Sequence, residues 1–452
     1  MASPAPFWLA QPSLTGTLAV IDEQGRPWTR GALDELADAR AEALRAQGER
    51  QLGLLFFRNR LDDLVQHLAT LRAGHVALLL PADLPVPAAQ ALVDTYRPAW
   101  LHGAPSGVVA LPGAGPALHA DLGLLLSTSG STGSPKLVRL SRSAVQANAA
   151  AIAEYLGITP ADRTLTTLPP SYSYGISVIH SHLLAGACVV LSDASVLSPE
   201  FLPLLREQAI TSIAGVPSSW QMLLRTGFDK AELPALRTIT QAGGRLDEPF
   251  KRRLLAWAQG NGARFFVMYG QTEATARISY VPPERLANKL GAIGIAIPGG
   301  ALGVDEASGE LIYRGPNVMM GYATRAEDLA RGDELGGVLH TGDLGRVDED
   351  GFFHVTGRLK RFVKLSGSRI GLDEVEALLG RELQLPVAAG GRDERLIVAL
   401  ESPDDAELLA RARGLLTQEL QLPLSLIRLK TLPALPLLPT GKRDYAALNE
   451  LA

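Results

Sequence analysis

Two short runs without a charged or hydrogen-bonding side chain, Leu52–Phe57 (LGLLFF) and Val76–Leu80 (VALLL), do most to constrain what this chain can fold into. A strand with one face in water alternates apolar and polar residues, so a run that is apolar throughout calls for a sheet covered on both faces. The covering elements stand beside these runs. Leu61–Ala73 has a helical pattern, and Trp28–Gln47 places Leu33, Leu36, Ala37, Ala41 and Leu44 on one helical face. The strand rhythm returns at Ala187–Leu191, Ile210–Val216, Thr238–Gln241 and Arg264–Met268. This order predicts an α/β fold, a large N-terminal body of sheets flanked by helices. From Gly309 the texture changes to short strands and turns, with Asp350-Gly351 as a hairpin signal. Beyond Lys360 come one strand pattern (Leu396–Leu400), one helix (Asp404–Leu420) and a proline-studded tail, which predict a small C-terminal α+β cap. A chain of 452 residues is expected to divide, here into a core of 1–358 and a cap of 359–452.

Composition narrows the function classes. With 46% hydrophobic and 20% charged residues the chain is globular, and a formal charge of −4 leaves no basic surplus for nucleic acid or an anionic membrane. No apolar stretch approaches the ~18 residues of a membrane span. The opening MASPAPFWLAQPS lacks a basic segment followed by an apolar run, and the lone Cys188 leaves no internal disulfide. The expectation is a cytoplasmic protein with no nucleic-acid partner and no membrane span. Only eight of the 43 basic side chains are lysines, so a lysine kept in a glycine-rich loop draws notice as a compact point charge.

Four segments carry chemistry. In Leu124–Lys136 (LLLSTSGSTGSPK) an apolar strand runs into Thr128, Ser129, Gly130, Ser131, Thr132 and Gly133 and ends in Lys136. Residues this small let backbone N–H groups face a phosphate chain, and the hydroxyls add donors. The segment is not the GxxxxGK[ST] loop, because Pro135 and Leu137 stand where its glycine and hydroxyl residue belong. In Phe265–Ala276 (FFVMYGQTEATA) a strand ends in Tyr269-Gly270. Tyr269 can stack on a flat ring, Thr272 can donate to a phosphate and Glu273 can hold Mg²⁺; the competing reading is a helix capped by Thr272. Asp343 sits in a Thr-Gly-Asp turn where its carboxylate can accept from both hydroxyls of a ribose, and Arg358 follows a glycine before the cap. Lys442 lies in LPTGKRDY, either a working lysine or a solvated tail charge.

In order and content these segments resemble the adenylate-forming superfamily: acyl- and aryl-CoA synthetases, the adenylation domains of nonribosomal peptide synthetases, and luciferases. STSGSTGSPK is similar to its phosphate loop and YGQTE to its Tyr-Gly-x-Thr-Glu segment. GAIGIAIPG and GELIYRGPNVMMGY resemble two connecting motifs, and HTGDLG, GRLKRFVKLSGSRI and PTGK the ribose, hinge and terminal-lysine motifs. The likeness runs from Leu124 to Lys442. The chain departs from the pattern at Leu137, where glycine usually follows the loop lysine, and at GLDEVE, where a proline is common.

The resemblance implies ATP- and Mg²⁺-dependent conversion of a small-molecule carboxylic acid to its acyl-adenylate, then transfer to the pantetheine thiol of CoA or of an acyl carrier protein. It implies that Lys442 bridges the carboxylate and the α-phosphate, that Thr272 contacts that phosphate and that Glu273 holds the metal. Residues 128–136 would wrap the departing phosphates, Asp343 and Arg358 would hold the ribose, and Tyr269 with Gly243, Gly244 and Arg245 would enclose the adenine. The cap would turn about Lys360, bringing the loop of Lys364, Gly367 and Arg369 to line a pantetheine tunnel.

Pocket positions by the same resemblance are Tyr174, Gly175, Ile176, Ile179, Gly215, Thr240, Ala242, Met268, Ala276 and Arg277. They are mostly small or apolar, which suits an aryl or fatty acyl group. Amino-acid-activating relatives place an aspartate where this chain has Gly175, and a buried ammonium without a counter-charge is costly. An acid lacking an α-amino group is therefore expected. Arg277 is the exception among these residues and is expected to face solvent at the pocket rim, with recognition of a polar substrate group as the less common alternative. The front of the chain is short for the superfamily, which removes places for a CoA nucleotide and favours a carrier protein. Two other readings are a stand-alone amino-acid adenylation enzyme loading a peptidyl carrier protein and a catalytically silent homologue acting as a binding subunit.

Overall fold

The apolar runs lie where burial on both sides requires them. Leu52–Phe57 and Val76–Pro81 pair in parallel inside a six-stranded sheet of order Gly321–Ala323, Leu137–Ser141, Leu122–Ser127, Val76–Pro81, Leu52–Phe57, Trp100–His102. Alternate side chains point to opposite faces. Leu52, Leu54 and Phe56 pack with Val76, Leu78, Leu80 and the helix Val86–Tyr96, whereas Leu55 and Phe57 pack with Leu79, Leu124 and Leu126 on the other face. The computed structural model describes residues 5–109, 115–127, 136–359, 361–365, 368–392, 394–419, 424–438 and 443–450. Chain contacts group it into one unit of Met1–Leu290, Gly294–Leu302 and Tyr313–Leu339, and a second of Gly291–Ile293, Gly303–Ile312 and His340–Ala452.

The first unit holds a further sheet, nine strands among the described residues. Its order is Ile295–Ala296, Ser279–Val281, Arg264–Tyr269, Thr238–Gln241, Ser212–Gly215, Arg163–Leu165, Cys188–Val190, Leu18–Ile21, Pro27–Thr29. The strands from Arg264–Tyr269 to Leu18–Ile21 run parallel, so their carboxyl ends gather along one edge, where open α/β sheets bind ligands. Helices Leu61–Ala73, Arg142–Leu156 and Ser173–Leu184 share one core cluster with residues of both sheets, among them Leu55, Leu79, Val20 and Val189. The first helix is shorter than its periodicity suggests. Pro27–Thr29 is a strand, and the Thr29 hydroxyl accepts from Ala32 N at 3.2 Å, so the helix starts at Arg30 and ends at Ala46.

Two helices of this unit meet through a buried histidine pair. His67 Nε2 and His180 Nε2 are 2.8 Å apart with nearly parallel rings, and Phe7 stacks on His180 at 4.1 Å. Burial holds His67 down to about 3, and His180, with His67 beside it, lies well below the usual imidazole range. The two rings therefore share a proton in a neutral hydrogen bond.

In the second unit, Val387–Arg392, Arg395–Glu401 and Ile427–Leu432 form a three-stranded sheet, covered by helices Leu372–Leu383 and Ala406–Glu419 around Val375, Leu379, Val398, Ala412 and Leu416. The Asp-Gly hairpin forms as its residues demand. Val338–Val347 and Phe353–Arg358 pair antiparallel, Gly351 takes φ of 81°, and Asp348 Oδ1 accepts from Phe352 N at 2.9 Å. Among the described residues no helix is long and apolar enough to cross a membrane.

Candidate active site

The segment that follows Arg264–Tyr269 leaves the carboxyl edge of the nine-stranded sheet in a tight loop. Gly270 permits it, because a Cβ there would lie 1.9 Å from the carbonyl oxygen of Ala276. Thr275 takes φ of 63°, a costly conformation for a branched residue, and is held there by donating its hydroxyl to Asn317 O at 2.7 Å. Asn317 also donates to Ala274 O and Arg277 O, each at 2.8 Å, and accepts from the Tyr313 hydroxyl at 2.7 Å. The loop therefore has one enforced shape. Thr272 does not cap an α-helix: residues Thr272–Ala274 make a single 3₁₀ turn, and the Thr272 hydroxyl meets that of Ser173 at 3.2 Å.

Within this frame three separate stretches of sequence converge. Tyr322 donates its hydroxyl to Glu273 Oε1 at 2.8 Å, and the Lys136 ammonium lies 4.9 Å from the centre of the same ring. Burial, reinforced by the Glu273 carboxylate, pushes the Tyr322 hydroxyl far above its ordinary range, so it stays a donor. Glu273 is thereby oriented through Oε1, and a carboxylate held in this way can offer its second oxygen to a hard cation. Thr128, Ser129, Gly130, Ser131, Thr132 and Gly133 lie outside the described residues. The strands on either side of them are antiparallel neighbours with Ser127 opposite Leu137. Leu137 is fully buried in the sheet core, a packing reason for the apolar residue after the lysine.

Around the neighbouring strand end, Gly243 takes φ of 84°, and a Cβ there would meet the Tyr172 hydroxyl at 2.8 Å. Gln241 donates to Gly244 O at 2.8 Å, Arg245 is exposed, and Gln271 donates to the Tyr269 hydroxyl at 3.1 Å. Tyr174, Ala242 and Met268 share one apolar cluster with Ala214, Val216 and Phe266, and the Tyr174 hydroxyl pairs with that of Thr240 at 2.7 Å. Gly215 admits the Trp220 indole, which would lie 2.6 Å from a Cβ. At Gly175 a Cβ would lie 2.1 Å from Pro169 O, so the backbone itself leaves no room for a side chain.

Two expectations about the pocket need correction. Ile176 and Ile179 pack into the core between the sheets, with Leu55 and Val189, and not with Ala242 and Met268. Arg277 does not face solvent. It is 2% exposed, beside the buried Ala276, with its guanidinium carbon 4.0 Å over the Tyr174 ring.

In the second unit Asp343 stands opposite Arg358 across the hairpin, and Arg358 Nε donates to its buried carboxylate at 2.9 Å. Lys364 is exposed on Phe362–Leu365, paired in register with Arg369. Lys360, Gly367 and Lys442 lie outside the described residues. Reading the sequence alone misses Tyr322, Asn317 and Ser173, which orient the Thr272–Glu273 turn. The first two sit in the connecting segment GPNVMMGY, where only the hydroxyl and amide side chains among apolar neighbours hinted at a polar task.

Residues 103–323 match the family of AMP-binding enzymes. The chain is 33% identical to the oxalate–CoA ligase of Arabidopsis thaliana over 61% of its own length and 56% of that protein's. It is 32% identical to the indoleacetate–CoA ligase of Aromatoleum aromaticum over 72% of its own length and 67% of that protein's. Its fold is that of MatB from Rhodopseudomonas palustris, solved with ATP (TM-score 0.79, 22% identity, 99% of each chain). It also matches the o-succinylbenzoate coenzyme A synthetase of Bacillus subtilis, solved with ATP and magnesium (TM-score 0.77, 25% identity, 98% of this chain and 99% of that one).

Proposed function

Since the chain belongs to the adenylate-forming superfamily of AMP-binding enzymes, we propose that it is an AMP-forming acid–thiol ligase acting on an aryl or acyl acid without an α-amino group. The observation that carries this reading is the convergence of Lys136, Glu273 and Tyr322 beside Thr272 at the carboxyl edge of the sheet. An anionic carboxylate approaching an anionic phosphate needs charge neutralisation and positioning more than covalent help. Those four residues supply a cation, an oriented carboxylate for Mg²⁺ and a hydroxyl donor. In the first half-reaction a substrate carboxylate oxygen forms a bond to the α-phosphorus of ATP while the bond to the bridging oxygen breaks, releasing pyrophosphate. Thr272 steadies the α-phosphate, and residues 128–136 enclose the leaving group. Asp343 and Arg358 hold the ribose, and Tyr269 with Gly243, Gly244 and Arg245 encloses the adenine. Lys442, carried by a cap of 359–452 that turns at Lys360, neutralises both reacting anions.

In the second half-reaction a pantetheine thiolate attacks the acyl carbon and AMP leaves, with Lys364, Gly367 and Arg369 at the tunnel. CoA is the acceptor named for the two ligase relatives, and a carrier protein is the alternative. Absence of an α-amino group has two supports. Backbone packing denies Gly175 a carboxylate, and buried Arg277 would repel a substrate ammonium. The test is product analysis with ATP, magnesium, an acid panel and CoA. AMP, pyrophosphate and a thioester are expected; acid-dependent ADP would overturn the reading.

A further inference from the structure

Arg277 has surroundings that do not satisfy its chemistry. Four arginines are buried among the described residues: Arg30, Arg72, Arg139 and Arg277. The first two are tied to Asp34 and the third to Glu334. Arg277 has no carboxylate partner among the described residues; its Nη1 donates only to Ala276 O at 3.2 Å, and its wholly buried Nε has no hydrogen-bond partner. The groups around it are three tyrosines. Tyr174 presents its ring face at 4.0 Å, the Tyr155 hydroxyl lies against the guanidinium while also donating to Met268 Sδ at 2.9 Å, and Tyr172 is close enough to feel the charge. Burial holds all three phenols protonated, that of Tyr172 pushed up to about 12, so none of them is a counter-ion.

A desolvated guanidinium without an anion is costly, and a single aromatic face offsets only part of that cost. The other three buried arginines fasten backbone carbonyls from distant segments, as Arg139 does with Met320 O at 3.0 Å, whereas the one carbonyl that Arg277 binds is that of its own neighbour. Its place is instead beside Tyr174, Tyr155 and Ala276, just after the turn that carries Thr272 and Glu273. With Nη1 engaged, the Nε–Nη2 edge is the side of the fork that a carboxylate takes in a bidentate pair.

We propose that Arg277 receives a second carboxylate on the substrate, at the end remote from the one that is adenylated, so that the acid is a dicarboxylate activated at one end. This rests on the ligase reading and names its substrate class. Being neutral, the three phenols set no competing anion beside the guanidinium. The same cation disfavours an acid that brings only an alkyl or aryl end into the pocket.

The test compares straight-chain α,ω-dicarboxylates of three to ten carbons with the monocarboxylates of the same lengths, and terephthalate with 4-methylbenzoate. Pyrophosphate exchange is measured on wild type, Arg277→Met and Arg277→Lys, with ATP binding followed by thermal shift to establish that each variant is folded. Wild type is expected to favour at least one dicarboxylate over its matched monoacid by about 10²-fold or more in kcat/KM. In Arg277→Met that ratio falls toward one, and Arg277→Lys, which keeps the charge but loses the fork, lies between. Monoacids used as well as or better than every dicarboxylate, or a ratio unchanged in folded Arg277→Met, would overturn the proposal and leave the ligase reading standing. If no acid supports exchange, calorimetry of the same dicarboxylates decides separately. Binding that Arg277→Met abolishes keeps the pocket assignment while the ligase reading falls, and equal or absent binding removes both.

Discussion

At the scale of single residues the site is set by partners that the sequence does not announce. Tyr322 orients Glu273 and offers its ring to Lys136, so Tyr322→Phe removes a hydrogen bond to a charged group, worth about 1.5–3 kcal/mol. The expected result is a rise of roughly tenfold or more in the magnesium concentration for half-maximal activity, with the fold unchanged by circular dichroism; an unaltered magnesium dependence would remove Tyr322 from the site. Gly175 illustrates a different lesson. Read from the sequence it is a missing aspartate, whereas in the structure the Pro169 carbonyl occupies the space of any side chain. Gly175→Ala should therefore cost at least about 1–3 kcal/mol of stability, measured as a lower urea midpoint at constant slope. Arg277 could not be placed from its type alone, because an arginine in a sequence carries no sign of its own burial.

Among elements, the helices Leu61–Ala73 and Ser173–Leu184 are joined through His67 and His180, and His182 of the second helix is held down to about 4 by burial. These folded-state values lie below the ordinary 6.5, so above that pH the rings are neutral in both states and add no pH dependence. As pH falls below 6.5, the unfolded chain takes up protons that the folded one refuses, and stability is lost, for His67 down to about 3 and for His182 down to about 4, with His180 acting in the same direction. Urea midpoints are expected to fall clearly from pH 7 to pH 5, and a flat profile would contradict the neutral pair. The elements themselves were largely legible. Leu52–Phe57 and Leu61–Ala73 form as read, since a continuous apolar run and a 3.6-residue period each have one economical burial. The boundary at Trp28 was not legible, because the cap at Thr29 and the strand before it depend on pairing with Leu18–Ile21. Ile176 and Ile179 were assigned to the pocket by likeness alone, and the helix turns them into the core between the two sheets.

For the whole molecule, the ordered motifs from Leu124 to Lys442 make the family legible in the sequence, because each is local in the chain. What they could not supply is the cross-segment wiring, in which residues 136, 273 and 322 meet only after two sheets have formed. We propose that this chain joins a carboxylate to the α-phosphate of ATP with Lys442 as the neutralising charge. Acid-dependent exchange of labelled pyrophosphate into ATP, without any thiol, tests it most directly when wild type is compared with Lys442→Ala. Exchange is expected in wild type, with a loss of about 10²–10³-fold in the variant, equivalent to ~2.7–4 kcal/mol, and with ATP binding retained. Exchange at the same rate in both proteins, or none in a folded wild type that binds ATP across the full acid panel, would contradict it.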